Sequence, residues 1–355
     1  MPILKKTFTQ QRYDVVLEVD EKYDGIRLDQ FLLHYYETFS RQLLKKKIEM
    51  GEVKILGRPF PHRPSTKVHH QEIIELVIPK TTHEDEYWDG KQVELETDPP
   101  IVYQDDDLVV ISKPPFMCTH PTGRHIFNCA TIILESKTGV KVHSMHRIDR
   151  ETSGILLLGK NSETAKIVRE YFDSDQVKKA YFFISKIDHG LYKGQTEFKV
   201  NTRLGPKEQG MRAVVIHSYP FDSLEGKTAL THFKILYKNE NYAYGLAFPK
   251  TGRQHQIRVH AQTKGLPLLG DKLYLGNYKM FQRFKDGYAT HEDHEFMEIP
   301  HQALHSIGIS LPYKGGKYFM APLPKDLKDY LVNHLNFSES QENELYQTLE
   351  EFLKK

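Results

Sequence analysis

Charged side chains are dealt along this chain in blocks, and the blocks limit how it can be divided into folding units. Ser40 to Lys67 holds eight Lys/Arg against two Asp/Glu, whereas Thr81 to Ser112 holds ten Asp/Glu against the single Lys91. Taken alone, such runs are solvated faces; side by side, they fit a module that faces polyanions followed by a wet linker. The net charge of +2 conceals this division. A length of 355 residues suits two domains, and 20 Tyr with 19 Phe supply enough bulky apolar surface for a sizeable core. No apolar run approaches the roughly 20 residues needed to cross a bilayer. Met1 to Gln10 carries Lys5 and Lys6 with no apolar stretch behind them, so it does not read as a secretory signal. Cys118 and Cys129 are the only cysteines, which excludes a disulfide framework or a cysteine-rich zinc site and points to a reducing cytoplasm.

Leu28, Phe31, Leu32 and Tyr35 recur at helical spacing after Gly25. A second helix is expected from Ser40 as N-cap, with Leu43, Leu44 and Ile48 inward, Gly51 closing it, and Arg41, Lys45, Lys46 and Lys47 outward. Val53–Leu56 and Ile73–Ile78 are β-type runs. The order Arg27-Leu28-Asp29, Ser40-Arg41 and Gly51-Glu52-Val53 resembles the S-four RNA-binding module, although Leu56-Gly57 and His70-Gln71 depart from its usual turns. The expected divisions are an extension over 1–24, an S-four-like α/β module over 25–78, an acidic linker over 79–100, a main domain over 101–330 and a C-terminal helix over 331–355.

Beyond the linker, Leu108–Ile111, Ile155–Leu158 and Ala180–Ser185 read as buried strands, and a helix runs from Asn161 or Ser162 through Tyr171. Strands with interspersed helices predict an α+β domain on a mixed, largely antiparallel sheet. The terminal helix should start with Ser338 and Gln341 as a capping box and turn Leu345, Leu349 and Phe352 inward. The aromatic pairs Tyr35-Tyr36 and Phe182-Phe183 read as packing.

Two polar clusters could carry chemistry. His146-Arg147-Ile148-Asp149-Arg150 precedes the apolar strand at 155–158, and a carboxylate flanked by arginines at the mouth of a buried strand stays ionised. Most Arg–Asp neighbours are mere surface pairs. In the second cluster, Thr251 to His260, Thr251 is the expected cap of a helix that Gly265 closes, and Arg258 needs a buried carboxylate partner, for which Asp149 is the candidate. His143 with His146, and His291 with His294 and Glu295, lack a third ligand at metal spacing, so no metal is expected.

His146-Arg147-Ile148-Asp149 with Thr152-Ser153-Gly154 resembles the signature of the RluA family of pseudouridine synthases. Gly252 to His260, Gly265 to Pro267, Gly270 to Tyr274, Lys179-Ala180-Tyr181 and the segment His301, Ala303, Leu304, His305, with Gln302 inserted, are similar to its later motifs. The resemblance implies the pseudouridine synthase fold and isomerisation of uridine in RNA. It makes Asp149 the nucleophile, by attack on the sugar or by promoting loss of the 2′-hydrogen, with Arg258 as its partner and Tyr181 as stacking residue and base. Arg147 would fill the gap left by a flipped nucleotide. Leu304 would line the base pocket, and His146, Thr152, Arg253 and His255 would contact substrate. Arg41, Lys45, Lys46 and Lys47 would hold phosphates. An isomerisation needs neither cofactor nor metal. The expected partner is structured RNA, ribosomal ahead of transfer RNA, met by a cytoplasmic monomer. The rival readings are a non-catalytic RNA-binding or ribosome-assembly protein, against which Asp149, Tyr181 and Arg258 together count, and, third, a metal-dependent hydrolase.

Overall fold

The computed structural model describes residues 3–8, 12–35, 41–80, 84–121, 125 and 127–354. Two compact units divide the chain, 1–85 with 118–142 and 86–117 with 143–355. In the first unit, β1 (Ile3–Phe8), β2 (Arg12–Glu18), β3 (Val53–Ile55) and β4 (Ile73–Pro79) form a sheet in the order β1-β2-β4-β3. Helices α1 (Leu28–Tyr35) and α2 (Arg41–Glu49) supply Leu28, Phe31, Leu32, Leu44 and Ile48 to its core, and α3 (Ala130–Thr138) belongs to the same unit.

Several boundaries differ from the sequence reading. Residues 1–24 are not an appendage: β2 runs antiparallel to β4 over its whole length, and Val15 and Leu17 are buried, because alternating apolar residues there match the pleat of β4. Phe127 joins this core although it lies far along the chain. Its backbone N–H and that of Asn128 donate to Glu84, so part of the acidic stretch caps buried backbone and is not solvated spacer. Ser40, the expected N-cap, Tyr36 and the Leu43 side chain lie outside the described residues. Lys47 does not face outward; it is buried and pairs with Glu52 at 2.8 Å. Arg41 and Arg27 both hold the fully buried Asp29.

The second unit opens with a short ladder of β5 (Tyr87–Trp88) and β6 (Lys91–Gln92). Its main sheet contains β7 (Ile101–Gln104), β8 (Leu108–Lys113), β9 (His143–Ser144), β10 (Ser153–Gly159), β11 (Lys178–Lys186), β12 (Glu197–Pro206), β13 (Ile216–Tyr219), β14 (Lys227–Lys238), β15 (Tyr242–Pro249), β16 (Leu304–Leu311) and β17 (Lys317–Met320). The central order is β13-β12-β14-β15-β11-β16-β10-β8-β7, with β17 on β16 and β9 on β10. Only β10 and β16 run parallel among the described pairs, so the sheet is mixed and largely antiparallel. Helices α4 (Ser162–Asp173), α5 (Gln256–Thr263), α6 (Tyr278–Asp286), α7 (His291–Met297), α8 (Lys325–Leu335) and α9 (Glu339–Lys354) complete the unit. Asn161 caps α4 through Thr164 N–H.

The parallel contact depends on Gly154, whose φ is +104° and at which a Cβ would lie 2.3 Å from the Ser306 carbonyl oxygen. The expected single helix at 331–355 is two, broken at Asn336 in the left-handed region. Ser338 and Gln341 form the expected capping box. Leu345, Leu349 and Leu353 are buried in one cluster with Phe182, Leu246 and Ile307 of the sheet. These helices are therefore core of the second unit, not a separate segment.

Candidate active site

The middle strands β10, β16 and β11 are neighbours, and Asp149, Leu304 and Tyr181 come from the turn before β10, the start of β16 and the body of β11. They line one cleft together with Arg147, Thr152, Arg253, His255 and Arg258. The turn that carries Asp149 is fixed residue by residue. Asp149 carbonyl accepts from Thr152 N–H at 3.1 Å, Arg150 pairs with Glu86, and the Arg150 carbonyl accepts from the fully buried Lys113 ammonium at 3.1 Å. Glu151 pairs with Lys272 at 2.8 Å, and Thr152 Oγ1 accepts from Gln302 at 2.6 Å.

Arg258 Nη1 donates to Asp149 at 2.9 Å, while its Nε and Nη2 form a fork on Asp271 at 2.6 and 2.9 Å. Asp271 is fully buried, and it also accepts the Leu273 and Tyr274 N–H groups. Two carboxylates therefore aim one guanidinium, and a planar fork fits this task as an ammonium would not. Burial pushes the Asp149 carboxyl up, but His255, Arg258 and the hydrogen bonds from Arg258 and Gln302 outweigh it and bring it down to about 2. His255 is itself held at about 4 by burial and Arg258, so at neutral pH it is uncharged and Arg258 is the cation that keeps Asp149 ionised. The expected pairing of Arg258 with Asp149 is present.

The second cluster starts its helix later than the sequence suggests. His255, left-handed at φ 53°, occupies the N-cap position of α5. Thr251 Oγ1 instead donates to Gln256 at 2.7 Å and accepts from Leu230 N–H, because the loop must also close against β14. Arg253 donates through Nε to the Thr228 carbonyl at 3.0 Å. His255 Nδ1 lies 2.9 Å from the Tyr274 hydroxyl, and its Nε2 is 3.9 Å from Asp149.

Burial first, and Asp149 second, raise the Tyr181 phenol to about 12, with Ser306 offsetting only part. At rest it is a neutral phenol, which does not suit a resting base. His146 is not in the cleft: its Nε2 accepts from Leu157 N–H at 3.0 Å and its ring stacks on Phe172. Burial holds that imidazole near 3, so it accepts and serves as a brace for β10. The described residues include no cluster of three metal-ligating side chains; His291 pairs with Asp89, and His294 packs edge-on against Trp88.

Three residues of the site were not picked out from the sequence. Asp271 and Lys179 stand inside the quoted motifs, where an acid beside a turn glycine and a lysine two before Tyr181 were available signals. Gln302, read as an insertion, is 2% exposed and donates to Thr152 at 2.6 Å.

A family model for RNA pseudouridylate synthase matches residues 107–263, which span the Asp149 turn, Tyr181 and all of α5. An uncharacterized RNA pseudouridine synthase of Aquifex aeolicus is 31% identical over 73% of this chain and 80% of its own length. Ribosomal large subunit pseudouridine synthase D of Haemophilus influenzae is 30% identical over 88% of this chain and 93% of its own. The chain belongs to the RluA family of RNA pseudouridine synthases. It is an RNA uridine isomerase, and the rival reading of a non-catalytic binder falls away. Human RNA pseudouridylate synthase domain containing 4 has the same fold, with a TM-score of 0.51, 24% identity, and coverage of 65% of this chain and 91% of its own.

Proposed function

We propose that this synthase isomerises uridine in structured ribosomal RNA in the cytoplasm, with Asp149 as its nucleophile. The observation that carries the assignment is the Arg258 contact, at 2.9 Å, that keeps the Asp149 carboxylate ionised inside the cleft that Tyr181 and Leu304 also line. The relatives named for the large ribosomal subunit support the choice of RNA.

In the reaction the bond from C1′ to N1 breaks, uracil turns, a bond from C1′ to C5 forms, and the C5 proton leaves while N1 gains one. No atom is lost, so the protein must hold the sugar centre and move protons. Asp149 either attacks C1′, as carboxylates do in glycosidases, or takes the 2′-hydrogen to leave a glycal and returns that proton to C2′ as C1′ joins C5. Leu304 and the Tyr181 ring sandwich uracil. The phenol, raised to about 12, accepts the C5 proton only as its own passes on. Arg147, exposed at the cleft, enters the gap of the flipped nucleotide, while Thr152, Arg253 and His255 line the walls. The first unit is an S-four-like module whose Arg41, Lys45 and Lys46 grip phosphates; Lys47 stabilises it from within.

Mapping of pseudouridine across total RNA, with and without the gene, tests this reading. Loss of specific ribosomal sites on deletion is the expected result; changes confined to transfer RNA would reassign the substrate.

A further inference from the structure

We propose that a second hollow beside the cleft holds the nucleotide adjoining the target uridine. This rests on reading the cleft as the uridine site. The hollow, of about 510 Å³, has Leu204, Pro206 and Ile216 as apolar wall and Lys227 and Gln254 as polar rim. It meets the cleft at Gly252 and Arg253, which line both. An apolar wall with cations at the edge is the chemistry of a base with its phosphate.

Two further observations favour a ligand that bridges the hollows. Arg203 donates to the Glu225 and Gly226 carbonyls at 2.9 and 2.8 Å, so the wall at Gly226 is preformed. Gly252 has no left-handed backbone to explain it, and a Cβ there would meet only the Lys179 ammonium, at 4.0 Å. Neither conformation nor packing demands a glycine, so the space its methyl group would take is left for something that passes from one hollow to the other. A phosphodiester between adjacent nucleotides has that path, with Arg253 at the crossing and Lys227 beyond it.

Ligand-observed NMR titration of the full chain with UpU, and with uridine 3′-methylphosphate as a partner of equal charge lacking the second base, tests the site. UpU should bind several-fold more tightly, from burial of its second base on the apolar wall and its contacts with Lys227 and Gln254. Lys227→Ala combined with Gln254→Ala, which strips the polar rim and leaves the apolar wall, should lower that gain about two-fold or more while leaving the methylphosphate nearly unchanged, since neither side chain lines the cleft. Equal binding of the two compounds to the native chain, or a gain that the double substitution leaves undiminished, overturns the second site. Failure of both compounds to bind would overturn the reading of the cleft, and the proposal with it.

Discussion

At the residue scale, the site is a set of charges that hold one another. Asp149→Asn keeps the shape of the side chain and removes its charge, so single-turnover assays should show no product while RNA affinity stays within a few-fold. Wild-type rates would take Asp149 out of the mechanism. Arg258→Met strands Asp149 and the fully buried Asp271 together, and breaking such a pair costs about 3–5 kcal/mol; chemical denaturation should find at least that loss, along with lost activity. A carboxyl held at about 2 is ionised throughout the neutral range. The stability its pairing contributes is present above the ordinary carboxyl range, near about 4, and fades only as pH falls towards 2. The pH profile of kcat should therefore show no acid limb from Asp149 above about pH 3. Asp271→Asn, which loosens the Arg258 fork, should raise that limb towards the ordinary range. Lys179 runs the other way: burial, then Arg253 and Lys250 against Asp175, bring its ammonium down to about 8. Its charge is present below that pH and lost above it, so KM for RNA should climb at alkaline pH, and Lys179→Arg, which does not titrate there, should abolish the climb.

At the element scale, periodicity was most informative where one face is buried. The stripe of α1 and the alternation of β4 follow from the positions of their apolar residues, and so does the inward face of α9. Helix starts were less legible, since Thr251 and His255 compete for the cap of α5 and only the closure onto β14 decides between them. Leu349→Ala removes a fully buried side chain from the cluster shared by α9 and the sheet and should cost about 2–5 kcal/mol in thermal or chemical unfolding. A loss below 1 kcal/mol would mean that α9 contributes little to the core.

At the scale of the whole molecule, the first unit is discontinuous in sequence. A fragment of residues 101–355 keeps 118–142 but loses the strands and helices around Phe127. It should aggregate or melt well below the intact chain, whereas a chain that retains residues 1–85 should not. Charge reversal at Lys45 and Lys46 should raise KM and flatten the salt dependence of RNA binding while kcat holds. A fall in the saturated rate with an unchanged salt slope would place the first unit in the catalytic step.

Read alone, the sequence identifies the family and the α+β class, and it singles out the residues proposed for the chemistry. Asp149, Arg258 and Tyr181 stand in local motifs, and the need of a buried guanidinium for an acid can be argued without coordinates. What it could not determine depends on residues distant along the chain. His146 and Arg147 are adjacent in sequence, yet one faces Phe172 and the other the cleft, because a turn sends neighbours to opposite sides. Lys47 follows two outward lysines, but Glu52 draws it inward. The weight of Gln302 and Asp271 appears only when the segment before β16 and the loop after α5 bring them to the Thr152 hydroxyl and the Arg258 guanidinium, 150 and 13 residues away. Polar groups buried by tertiary closure must find partners from whatever the fold places there, and only the assembled sheet decides which those are.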